Sequence, residues 1–274
     1  MQRRTWLTAS LVALVAAVSD GEATADSSTL PPDGLTDPAE RYRVYAALRF
    51  GPPGRAVFWW MTGTRFGLID NELIPFFDMH VGSLHLRENL DADRYLVRSI
   101  SALYFTPLGE SSLLTAWDNP VTRHLVPLSY PVPSITTTEY SLSRGVLVEP
   151  SLADARVERD HRFGDVRLGG GLCQLDELSR VRVWRGNATT PQKVHDLYTW
   201  SAPIEGWGQS VEPIAATVAF NDFNDWSPRF QMGAQAGTGI ARCTGRKVLR
   251  LEDMPTIWLS HYSRLHAGTF DSVR

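Results

Sequence analysis

Asp93-Arg94-Tyr95-Leu96-Val97-Arg98-Ser99-Ile100-Ser101-Ala102-Leu103-Tyr104-Phe105 sets the fold class. Tyr95, Val97 and Ser99 fall on one face, and Leu96, Arg98 and Ile100 on the other. A period of two is the signature of a pleated strand. β-branched and aromatic side chains fit that half-buried surface. Working outward, the same chemistry recurs at short intervals. Upstream, Ala56-Val57-Phe58-Trp59-Trp60-Met61 is an apolar strand closed by Gly63, and residues 65–69 and 73–79 read as short strands. Downstream, 113–117 and 124–128 flank a turn at Asp118-Asn119-Pro120. Residues 180–185, 194–200 and 214–220 continue the series, Pro228 to Met232 reads as a short helical turn, and 237–249 as a final strand pair. Strands every 8–12 residues with Gly/Pro/Asn turns favour an antiparallel meander or barrel. Parallel sheets need long crossover helices, which the pattern lacks. The expected fold is therefore mainly β, an antiparallel barrel or strongly curved sheet, lipocalin-like in architecture.

One helix is expected ahead of the strands. Asp37 can cap it, Pro38 suits its first turn, and Glu40 stands in the capping-box position. Tyr42, Tyr45, Ala46 and Leu48 follow at near-helical spacing, and Gly51-Pro52-Pro53-Gly54 ends the segment. This helix, 37–48, should pack outside the sheet or across one end. Residues 150–177 are charged and carry Gly169-Gly170-Gly171. They read as a long surface excursion, a kind of loop that is usually functional or disordered.

The N-terminus predicts a location. Arg3-Arg4 precedes an apolar run from Leu7 to Val18, and Ala23-Thr24-Ala25 forms a small-x-small cleavage site. Together these spell a secretory signal over residues 1–25, with the arginine pair pointing to the twin-arginine (Tat) export machinery as a partner. A run of about 12 residues is too short for a permanent span, which needs roughly 20. Residues 26–36 read as a disordered leader and 37–274 as a single β-rich domain, periplasmic or secreted. The net charge is −3, and no run of Lys or Arg exists to attract nucleic acid or an anionic membrane. Cys173 and Cys243 are the two cysteines. They either form a disulfide, which would stabilise the fold by about 4 kcal/mol on the chain-entropy model, or remain buried thiols.

Several segments resemble the bacterial and fungal family called domain of unknown function 1838. They are Arg55 to Thr64 with its Trp59-Trp60 pair, Thr115-Ala116-Trp117-Asp118-Asn119-Pro120, Asp225-Trp226-Ser227, Gln231-Met232-Gly233, Gly245-Arg246-Lys247 and Leu251-Glu252-Asp253-Met254-Pro255. The resemblance covers nearly the whole chain after the leader. It implies an exported protein and supplies no reaction. One departure is Val121-Thr122-Arg123, where the family has Tyr-Thr-Gly after Asn-Pro.

No nucleotide loop, HExxH motif or Gly-x-Ser-x-Gly elbow is present, and no cofactor or metal is expected. His80 and His85, an odd number of residues apart on a strand, face opposite sides and are poor joint ligands. Asp160-His161 and His195-Asp196 are neighbours that face apart, and His261 and His266 fall in a surface tail. Glu139, Tyr140 and Asp222 are candidate acids or bases if they point into a pocket. The tryptophans are more suggestive, because aromatic rings carry large apolar area and line small-molecule pockets. The expected ligand site is interior. Trp59 or Trp60, Trp117 and Trp226 would line it, with Asn119 and Asp222 as polar fixing groups. Trp117 and Asn119 share a face on an extended backbone. The expected partner is a hydrophobic or aromatic small molecule, bound by a carrier or a cofactor-free enzyme. The alternative is a structural or accessory envelope protein with a packed interior and no ligand.

Overall fold

A computed structural model describes Leu35 and residues 37–142, 145–148, 155–205 and 214–273. The predicted signal segment and nearly all of the leader lie outside the described residues. The chain is mainly β. Among the described residues one α-helix, α1 (Pro38–Arg49), precedes thirteen strands, and a second, α2 (Thr256–Leu265), follows them. The strands are β1 (Val57–Ile69), β2 (Glu72–Asn89), β3 (Arg94–Thr106), β4 (Ala116–Asp118), β5 (Leu125–Pro127), β6 (Thr136–Ser141), β7 (Gly145–Val148), β8 (Ala155–Phe163), β9 (Arg167–Gly169), β10 (Leu172–Arg185), β11 (Gln192–Pro203), β12 (Thr217–Asn224) and β13 (Thr238–Val248).

All pairing is antiparallel, in the order β7-β6-β3-β2-β1-β13-β12-β11-β10-β8. Two meanders are joined where β1 meets β13, with Phe58 opposite Val248 and Leu68 opposite Thr238. The sheet curls into a nearly closed barrel whose edges are β7 and β8. Helix α1 bridges those edges: Tyr42 packs over Gly145 of β7 and against Phe163 of β8. The β4–β5 hairpin stands apart from this sheet.

Local chemistry explains the elements. The Asp37 side chain accepts from the Ala39 N–H and Pro38 occupies the first turn, as the sequence predicts. Asp70 and Asn71 both have positive φ, so β1 and β2 join through the tight two-residue turn that matches strand twist. Gly63 does not close β1. It lies mid-strand, where an added Cβ would sit 1.8 Å from the Arg242 carbonyl oxygen, and the missing side chain lets β13 approach.

The 150–177 excursion is a correction. Residues 155–163, 167–169 and the start of β10 are strands, and Gly170-Gly171, both at positive φ, make the hairpin turn between β9 and β10. The charges misled because β8 turns Arg159 and His161 toward a polar interior, which breaks the apolar alternation that marks a strand. The C-terminal tail is a second correction. Trp258 and Tyr262 of α2, with Phe270, bury Phe58, Leu84, Ile100 and Tyr104 on the convex face. His261 and His266 are buried there, and His266 Nδ1 lies 2.7 Å from the Tyr104 hydroxyl. Gly82 makes room for the Trp258 indole, which lies 2.2 Å from where a Cβ would stand.

Candidate functional site

The concave face holds two apolar clusters, one at each end. At the first end, Tyr42, Tyr45 and Leu48 of α1 pack with Trp59, Tyr95, Tyr140, Leu175 and Trp200. Helix α1 thus plugs one mouth of the barrel, which satisfies the second of its two expected positions and rules out packing on the outside. At the far end, Phe77, Phe105, Phe220 and Ala241 meet Trp117, Phe230 and Met232 from the connecting segments. Met61 and Tyr198 border both clusters and remain half-buried. Val81, Leu103 and Asp196 also face inward in the middle and are only partly covered. Between the two plugged ends, the inward side chains of the middle of the barrel, its lumen, are thus only partly covered.

Charged groups in this lumen are matched with care. Glu177 is buried, yet its carboxylate accepts from Trp200 Nε1 and His161 Nε2, both at 2.7 Å, and from the Tyr45 hydroxyl at 3.2 Å and Arg49 Nη1 at 3.3 Å. Burial alone would raise its pKa. The Arg49 charge and these donors outweigh burial and hold it down at about 2. Arg49 is itself flanked by the rings of Tyr45, Phe50, Tyr198 and Trp200. Asp222 takes both oxygens of its carboxylate to Arg65 Nη1, at 2.6 and 2.7 Å, and also accepts from Asn224 and the Ala241 N–H. Lys247 Nζ donates to the carbonyls of Ala47 and Phe50 at the end of α1, and burial lowers its pKa to about 7.

Asp196 is different. It stands opposite Asp222 on β12 and opposite Ser179 on β10, facing the lumen. Among the described residues its carboxyl makes no hydrogen bond and no ion pair. Burial, then the charges of Asp222 and Glu177, push its pKa up to about 7. Two residues on, Tyr198 shares its face. That ring stacks on Trp200 and Phe220, and its hydroxyl has no hydrogen-bond partner among the described residues.

The residues expected from the sequence are not gathered into one pocket. Trp59 faces inward, donates Nε1 to the Arg49 carbonyl and meets Trp200 edge-on at 4.9 Å. Trp60 faces the convex side near Arg246. Trp117 and Asn119 are buried at the far end. Asn119 is a structural residue: Nδ2 donates to the Phe230 carbonyl and Oδ1 accepts from the N–H groups of Val121 and Thr122, which fixes the turn. Trp226 donates to the Gln235 carbonyl and reaches Trp117 only through Phe76. A surface groove of about 420 Å³ runs past Phe76, Leu114 and Trp117. Glu139 pairs with Arg94 on the convex side, while Tyr140 stacks inward on Tyr95 at 5.1 Å. Asp222 is consumed by Arg65. His80 and His85 do face opposite sides, His80 toward Thr62 and Thr106 and His85 toward Ser83 and Ser99. Cys173 and Cys243 are free, buried thiols in different clusters, with pKa values raised by burial to about 11 and about 12. They are inert as nucleophiles near neutrality.

Sequence reading passed over Arg49, Glu177 and Tyr198, and set Asp196 aside with His195 as neighbours that face apart. The alternation Val194, Asp196, Tyr198, Trp200 on β11 was the available signal, an acid within an inward aromatic row.

No family model matches the chain, and no curated protein matches it. Among solved structures, a crystal structure of an N-terminal dehydratase from the difficidin assembly line aligns over 81% of this chain and 87% of its own, at 10% identity and a TM-score of 0.13. A similarity that low carries no argument about fold or activity.

Proposed function

We propose that this protein encloses a hydrophobic or aromatic small molecule in the barrel lumen, and acts on it as a cofactor-free acid–base catalyst centred on Asp196. The observation that carries the reading is the unpartnered, inward Asp196 beside Tyr198. Every other acid described in the lumen is matched to a cation or to several donors. Leaving a carboxyl in a semi-enclosed interior without a partner is costly. A group with a pKa near neutrality can both take and give a proton at ordinary pH. Asp222, opposite it on β12, is held by Arg65, Asn224 and the Ala241 N–H, which leaves Asp196 as the acid with room for a ligand. Met61, Val81, Leu103, Tyr198 and Trp200 give the surrounding wall its apolar and aromatic character.

Residues 1–25 support export by the twin-arginine route to the periplasm or beyond, and the resemblance to the 1838 family agrees with that. Native mass spectrometry of the protein purified from its own host tests the central reading. A bound small molecule that is lost from Asp196→Ala supports it. An empty wild-type protein that shifts with no compound in an aromatic and lipid screen favours the packed envelope protein instead. Export is tested separately. Arg3→Lys with Arg4→Lys should hold the chain in the cytoplasm, and unchanged export would reject the route.

A further inference from the structure

We infer that Asp196 and Tyr198 form a two-donor cradle for a single oxygen, so that the lumen takes a carbonyl compound with an apolar or aromatic body. The inference rests on the lumen being the ligand site. Both side chains rise from the same face of β11, two residues apart, at the boundary between the two apolar clusters. Both are half-buried, and neither polar group is committed to another described residue. The residues around them do not offer a better use. Asp222 on β12 is saturated by Arg65, Asn224 and the Ala241 N–H. On β10, Glu177 is saturated by four donors and the Ser179 hydroxyl faces the Asp196 side. Arg159 of β8 and Arg49 of α1 are the cations whose charges act on Asp196. Arg49 already pairs with Glu177.

Burial, and then the two neighbouring carboxylates, make a charge at Asp196 unfavourable, so the carboxylic acid is the resting form on the acid side of neutrality. A neutral carboxylic acid and a phenol are both donors. Two donors converging on one acceptor oxygen stabilise the charge that develops on it when a proton leaves the adjacent carbon. An ammonium ligand would want the opposite, an ionised Asp196. The two classes are therefore separated by the direction of the pH dependence.

The test uses two probes with the same body, 2-acetonaphthone and 1-(2-naphthyl)ethylamine, titrated into the full chain from pH 5.5 to 8.5 and followed by tryptophan fluorescence. The ketone should bind, and its affinity should fall at least five-fold as pH rises through about 7. Asp196→Asn keeps a donor and should bind the ketone with that pH dependence removed. Asp196→Ala and Tyr198→Phe should each weaken it five- to ten-fold with far-UV circular dichroism unchanged. Ketone binding that ignores pH, or an amine that binds tighter as pH rises, overturns the carbonyl assignment and leaves the lumen as a ligand site. Failure of both probes to bind wild type at any pH overturns the lumen reading as well.

Discussion

Replacing Glu177 with Gln removes one charge from the most heavily bonded carboxylate of the lumen while keeping its shape. In the native protein its pKa is about 2 against an ordinary 4.5. A group depressed on folding stabilises the native state above its unfolded pKa, and that contribution disappears as pH falls from 4.5 toward 2. At about 1.4 kcal/mol per pH unit, Glu177 supplies about 3 kcal/mol at neutral pH. The variant also leaves Arg49 inside without its anion, and breaking a buried pair from one side typically costs about 3–5 kcal/mol. The amide cannot accept all four donors. Its NH₂ must face one of Trp200, His161, Tyr45 or Arg49. Urea unfolding at pH 7 should show Glu177→Gln less stable by about 3–5 kcal/mol, with the m-value unchanged. Between pH 4.5 and 2.5 the wild type should lose stability toward the variant, so that the two curves converge. Adding Arg49→Met should recover part of the loss at pH 7. A deficit under 1 kcal/mol at pH 7, or curves that stay parallel down to pH 2.5, would refute the claim that this carboxylate is ionised and paired.

Asp196→Asn should act in the opposite sense. A raised pKa gives stability that is present below the unfolded value and lost as pH rises through about 7. The variant should therefore equal wild type at pH 4 and exceed it by about 1–3 kcal/mol at pH 8, the range discounted for partial solvent access. Thermal melts at the two pH values check it. Gly82→Ala drives a Cβ into the Trp258 ring and should cost about 1–3 kcal/mol, with a changed tryptophan spectrum as α2 shifts. Asn119→Ala removes four hydrogen bonds at the far end and should cost about 1–3 kcal/mol in urea titrations, without altering ketone binding in the lumen.

The parts of the fold that were legible are those whose cause is local. Asp37, Pro38 and Glu40 announce α1 within four residues, and the alternation of 93–105 needs no partner to be read. The strand β8 was illegible because the rule for a half-buried strand supposes an apolar inside. Here Arg159 and His161 lie on the inward face of β8, so the polar character of the interior hid the element that lines it. Helix α2 carried a fair signal, Trp258 and Tyr262 four apart after Pro255, obscured by the polar residues between them. The site was the least legible part. Tyr45 and Arg49 meet Glu177 from the far side of the sequence, and spacing along a single strand cannot show which inward acid is matched and which is left over. Asn119 and Asp222 were sensible candidates as inward polar groups, and only their complete sets of partners remove them.

The pairing of the first strand with the last has a consequence for how the chain reaches this state. Phe58 finds Val248, and Leu68 finds Thr238, so the two meanders can each form from neighbours but cannot join until nearly the whole polypeptide exists. Closing so long a loop adds entropy cost only slowly with length, yet it delays the step that encloses the lumen. During synthesis β1 must wait with one edge unpaired, exposing Trp59 and Phe58 on either side. The chain should therefore show a late, rate-limiting closure. A chain ended before Thr238 would retain two half-sheets with open edges, prone to pair with other copies.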